Sequence, residues 1–167
     1  MNVSDPASGA VGPGKLVYSP AFTGHEWLNT DQRGMQANLV FASPPFDGNF
    51  SLKATDPRLL KGGEPLVYDP DASLRSFLAS GKPFRIEPLP MRREKLAAVL
   101  VRNDATIPAH PTSPTIIYVI GGEGDLLLDA AYPIRQRLLI TVPPNVTIRA
   151  RAKPGMPLVM IAFRPEA

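Results

Sequence analysis

An all-β barrel or sandwich follows from three features of this chain: the spacing of its prolines, a series of short apolar and alternating segments in its second half, and the presence of one convincing helix. The 167 residues include 20 Pro and 13 Gly, about a fifth of the chain and well above average usage. A helical bundle or coiled coil cannot accommodate prolines at that density, because each one removes a hydrogen bond and clashes with the preceding turn. Disorder does not explain them either, since 44% of the residues are apolar and only 20% are charged. The length suits a single domain with a real core.

Taken in order, residues 1–14 are small, polar and rich in Gly and Pro, and read as a flexible N-terminal arm. Residues 15–83 read as N-terminal strands, loops and one short helix packed on a barrel formed by residues 84–167. Short apolar runs such as Leu16-Val17-Tyr18 and Asn38-Leu39-Val40-Phe41 alternate there with breakers such as Pro44-Pro45. The helix signal is DPDASLRSFLASGKP: Asp69 is placed to cap it, Pro70 suits its first position, and Gly81 and Pro83 end it. Leu74, Phe77 and Leu78 should form its apolar face.

Strand signals dominate after Pro83. Phe84-Arg85-Ile86 alternates, whereas KLAAVLVR (95–102) fits helix or strand. The run from Thr115 to Ile120 is β-branched and aromatic and predicts a strand. Gly121-Gly122-Glu123-Gly124 then joins it to Asp125-Leu126-Leu127-Leu128, the pattern of a hairpin. Leu138 to Val142 predicts a further strand, stopped by Pro143-Pro144. In Thr147 to Lys153, Ile148, Ala150 and Ala152 alternate with Arg149, Arg151 and Lys153. Leu158 to Phe163 closes the series. The prolines avoid 91–107, 115–132, 134–142 and 145–153 and so mark the turns between strands.

Several chemistries are excluded at this level. There is no cysteine, so disulfides, thiol catalysis and thiolate-bound metals are out. His25 and His110 are the only histidines, too few for a three-histidine metal site. The net charge of +3 is spread along the chain, and no aromatic ladder accompanies Arg149, Arg151 and Lys153, so no nucleic-acid partner is expected. Nor is a membrane, because no apolar run nears the length needed to span one. No basic segment followed by an apolar one opens the chain, so a cytoplasmic location is expected. The glycine cluster at 121–124 is no phosphate loop, since a leucine-rich strand follows it and not a helix.

The segments IPAHPTSPTIIYVIGGEGDLLL and ITVPPNVTIRARAKPGMPLVMIAF (107–128 and 140–163) resemble a cupin, a small jelly-roll β-barrel. The resemblance covers about residues 84–166 and implies a cupin-like jelly-roll β-barrel with a short helix and an irregular N-terminal extension. It also implies what is missing. Matched on the hairpin glycine, Pro108 falls at the family's first histidine, His110 at the second and Thr115 at the glutamate. Matched on Pro143, Asn145 falls at the second motif's glycine and Ile148 at its histidine. One of four ligands remains, so no metal cofactor is expected at the usual place. A site built from His25, His110 and one carboxylate is the variant that would restore one.

If His110 faces inward, alternation directs Pro108 inward as well, together with Thr115, Ile117, Val119, Ile148, Ala150 and Ala152. The leading expectation is therefore a small-molecule-binding protein with no metal site, whose apolar interior is marked by His110. His110, Thr115, Ile117, Val119, Ile148 and Ala150 would line a site for a small apolar or aromatic molecule. The alternatives are a metal-independent isomerase, cyclase or lyase with His110 as general acid–base, helped by a residue such as Tyr132 or Glu123, an oxygenase-like metalloenzyme with non-standard ligands, and a structural module with a filled barrel. Edge strands that need covering predict a homodimer.

Overall fold

The computed structural model describes residues 15–18, 66–89 and 95–164. Residues 1–14, the segment 38–41 and the pair His25 and Glu26 lie outside them, as do Pro44 and Pro45. The described residues belong to two compact units, one reaching to Asp69 and the other starting at Pro70. In the first, β1 (Leu16–Tyr18) pairs antiparallel with β2 (Leu66–Tyr68), and Lys15 forms an ion pair with Asp69 at 2.5 Å.

The second unit opens with α1 (Pro70–Ala79). Pro70 takes the first helical position, where its missing N–H costs nothing. The Ser80 hydroxyl donates to the Phe77 carbonyl at 2.6 Å as the helix ends. Its buried face is narrower than expected: Phe77 is fully buried and Leu74 half-buried, but Leu78 is 37% exposed. Leu78 lies about 100° around the helix from Phe77. It contributes its carbonyl, which accepts from Arg102 Nη2 at 2.7 Å. Phe77 lies under the Arg85 guanidinium, 5.8 Å from the ring centre.

Nine strands follow: β3 (Phe84–Pro88), β4 (Lys95–Val101), β5 (Asp104–Ile107), β6 (Thr115–Gly121), β7 (Glu123–Leu127), β8 (Ala131–Arg135), β9 (Leu139–Val142), β10 (Ile148–Ala152) and β11 (Leu158–Arg164). They form two antiparallel sheets, ordered β3-β4-β11-β6-β9 and β5-β10-β7-β8. Consecutive strands repeatedly change sheets, and the eight from β4 to β11 are divided four and four, which is the jelly-roll arrangement. The inner faces share one core, with Val99 and Val101 of β4, Ile117 and Val119 of β6, Leu126 of β7, Ile148 and Ala150 of β10, and Leu158 and Met160 of β11.

The ambiguous segment KLAAVLV is a strand, and its lack of alternation has a physical cause. Leu96, Ala98 and Leu100 on one face are buried like Val99 and Val101 on the other, and residues 158–163 of β11 are buried without a break. The glycine cluster between β6 and β7 is not a hairpin, because the two strands sit in different sheets. It is a corner at which two chain segments nearly touch. A Cβ on Gly122, whose φ is +83°, would lie 2.1 Å from the Pro157 carbonyl oxygen. One on Gly124 would lie 2.1 Å from the Arg151 carbonyl oxygen and 2.8 Å from Leu158 Cδ1.

Candidate functional site

The end of the barrel at which β6 begins is closed by two proline-rich turns. One runs from Pro108 to Pro114 between β5 and β6, the other from Pro143 to Thr147 between β9 and β10. They are tied together by the Asn145 N–H, which donates to the His110 carbonyl at 2.8 Å. Asn145 has φ +62°, a left-handed conformation that asparagine tolerates better than most residues.

His110 lies in the first of these turns, half-buried. Its Nδ1 accepts from the Ser113 N–H at 3.0 Å and, more weakly, from the Thr112 N–H at 3.4 Å. A ring nitrogen that accepts from the backbone carries no proton, so the neutral imidazole has its proton on Nε2. Nε2 is the one nitrogen left for an outside partner.

The other sequence-predicted residues lie deeper. Thr115 is 3% exposed, and Ile117, Val119, Ile148 and Ala150 expose no surface at all. Ile117, Val119, Ile148 and Ala150 belong to the one core shared by the two sheets. Pro108 does not face inward but is exposed. The reason is strand phase: Ala105 and Ile107 are the inward residues of β5, so the next residue points out. The inward strand positions near this end include Ala105, Ile107, Thr115, Val142 and Ile148, none of which offers an imidazole or carboxylate. Among the described residues no group of three His, Asp or Glu side chains is close enough together to hold a metal ion.

The structure does not bring Glu123 or Tyr132 to His110. Glu123 follows the far end of β6, and at about 3.3 Å per residue that strand separates it from the His110 turn by roughly 20 Å. Its carboxylate is held by Lys153 Nζ at 2.8 Å, and that hydrogen bond keeps it below the usual carboxylate range, with the Lys153 and Arg135 charges adding to the effect. Tyr132 is on β8, three strands from β5, and its hydroxyl donates to Asp129 Oδ1 at 2.8 Å. That bond raises the phenol and lowers the carboxyl.

Glu123 belongs instead to an open cleft of about 840 Å³ at the opposite end of the barrel, lined by Gly122, Glu123, Arg135, Gln136, Arg137, Leu138 and Met156. The basic stripe of β10 faces outward as expected and is interleaved with acids. Arg151 pairs with Asp104 at 2.9 Å and Lys153 with Glu123. This is a solvated face and not a concentrated positive surface.

One residue at the His110 end carried no signal in the motif. The inward row of β11 runs Leu158, Met160, Ala162 and then Arg164. The Arg164 Nε donates to Thr115 Oγ1 at 3.1 Å, and its Nη2 donates to the Pro108 carbonyl. An arginine continuing an otherwise apolar inward row was the available clue.

No family model matches the sequence, and no curated protein matches it. Among solved structures the chain is similar to an RmlC-like cupin protein from Desulfovibrio desulfuricans, with 22% identity over 49% of this chain and 82% of that one and a TM-score of 0.41. It is similar to a cupin protein from Bacteroides fragilis, with 14% identity, 47% and 70% coverage and a TM-score of 0.42. It is similar also to KdgF from a Halomonas species, with 17% identity, 51% and 81% coverage and a TM-score of 0.42. The strand orders β4-β11-β6-β9 and β5-β10-β7-β8 make a jelly-roll, and the likeness to these structures is one of fold alone. No helix among the described residues is long and apolar enough to cross a membrane.

Proposed function

We propose that this chain is a small-molecule-binding jelly-roll protein that works without a bound transition metal and receives its ligand at the His110 end of the barrel. The observation that carries this reading is the fixed orientation of the His110 imidazole. The Ser113 and Thr112 amides hold Nδ1, so Nε2 is presented by a defined ring and not by a free side chain. On this reading Thr115 and Ile148 form the floor of the site. Ile117, Val119 and Ala150 support that floor from the core, so the ligand sits at the mouth and not in the packed centre. A small apolar or aromatic body suits a rim of exposed proline rings at Pro108 and Pro111. Binding and not metal chemistry is favoured because Ala105, Ile107 and Ile148 offer no donor atoms and Thr115 only a hydroxyl.

The test combines elemental analysis with native mass spectrometry of protein purified without chelators. The expected result is a co-purifying organic molecule, released on denaturation and absent from His110→Ala, with metal far below stoichiometry. A stoichiometric transition metal that disappears in His110→Ala would overturn the reading.

A further inference from the structure

Arg164 gives the proposed mouth a fixed positive charge, and we infer that its ligand is an organic anion whose carboxylate is received by the Arg164 guanidinium. The inference rests on the reading above and adds the chemical class. Arg164 is half-buried at the end of the inward row of β11. Its partners among the described residues are neutral: the Thr115 hydroxyl and the Pro108 carbonyl oxygen. No carboxylate among the described residues is paired with it, whereas Arg85, Arg151, Lys15 and Lys153 each have an acid within 2.9 Å. A guanidinium has five N–H donors in a planar fork. Two are engaged here, which leaves three, distributed over both Nη atoms.

That remaining geometry is the one a carboxylate uses, because two parallel N–H···O bonds require donors on neighbouring nitrogens. The tie to Thr115, itself 3% exposed, and to a backbone carbonyl fixes the fork before the ligand arrives. Pre-ordering of this kind reduces the entropy lost on binding. Thr115 is also the position at which the resembling family carries its glutamate. The side-chain cation stands beside Thr115 and selects anions without a metal ion. The Pro108 carbonyl links the fork to the turn that carries His110, whose Nε2–H can donate to a second acceptor on the same molecule.

The probes are benzoate and benzamide, an aromatic carboxylate and its uncharged analogue. Amide shifts of Ser113 and Thr115 would be followed in full-length protein at neutral pH. The expected result is saturable binding of benzoate at least tenfold tighter than benzamide. Arg164→Gln, which can still hydrogen-bond Thr115, should abolish that preference, and Arg164→Lys should keep part of it. His110→Ala should weaken both probes and leave the preference intact. Equal binding of the two probes by the wild type would overturn the carboxylate assignment while leaving the binding function standing. Failure of both probes to move either amide would overturn the assignment together with the reading it rests on.

Discussion

The chain turns at the two ends of the barrel are held in opposite ways, and the open cleft adjoins the β6–β7 turn. At the β6–β7 corner, backbone meets backbone: Gly122 and Gly124 lie so close to the Pro157 and Arg151 carbonyls that a single methyl group has no room. The charged side chains around that corner, Glu123, Lys153 and Arg135, stay in solvent. At the His110 end, side chains take part in the ties. Arg164 is tied to Thr115 and Pro108, His110 to Ser113, and the Asn145 N–H to the His110 carbonyl, and each side chain keeps unused hydrogen-bonding capacity. A corner whose contacts are exhausted by packing serves stability. An end whose polar groups are held but not saturated is free to take a ligand.

The sharpest way to break this contrast is to change one residue at each end. Gly124→Ala should cost about 3 kcal/mol or more, because its Cβ meets a carbonyl oxygen that cannot swing aside. Urea or guanidinium unfolding would measure it, and a loss below about 1 kcal/mol would mean that the corner is more yielding than its geometry. At the other end, Asn145→Ala should cost only about 1 kcal/mol, the strain of a left-handed alanine, and Asn145→Gly should cost almost nothing. An equal loss in both Asn145 variants would show that the side chain and not the backbone matters there.

The smallest effect expected belongs to the exposed pair Glu123 and Lys153. Lys153 holds the Glu123 carboxyl below its ordinary value, chiefly through their hydrogen bond, and Arg135 reinforces it. The pair's contribution is therefore present above the ordinary glutamate range and lost as pH falls through the depressed value. Glu123→Gln should lower the unfolding midpoint slightly at neutral pH and not at all in strong acid. A difference that persists at low pH would count against this ion pair as its source.

Where one face of a strand meets water, the sequence pattern shows it: β10 reads Ile148, Ala150 and Ala152 against Arg149 and Arg151, and the structure follows that alternation. β4 and β11 are buried on both faces, so their residues carry no period to read. β8 is equally hard to recognise, for the opposite reason. It is an edge strand, four of its five residues are exposed, and it contains Pro133. The jelly-roll corner reads as a hairpin because both place glycines between apolar runs, and only the approach of Pro157 and Arg151, distant in sequence, separates them. At the site, His110 was legible as a lone imidazole. Its orientation was not, because it depends on a turn that ends strand alternation at Ile107. Arg164 is marked only by ending an apolar row, and its partners were not legible, since they are 49 and 56 residues away and one of them is a backbone atom.

Pro133 bears on how copies of this chain can associate. It faces Asp125 across the β7–β8 pair and has no N–H to offer. Proline fits a narrow antiparallel pair only where the missing hydrogen would have pointed away from the neighbour. The outer edge of β8 therefore lacks a donor at the middle of its five residues. A strand arriving from a second molecule would meet a break in the ladder after one or two hydrogen bonds. Continuous sheet growth is blocked on that side, so any pairing of two copies there must be made by side chains.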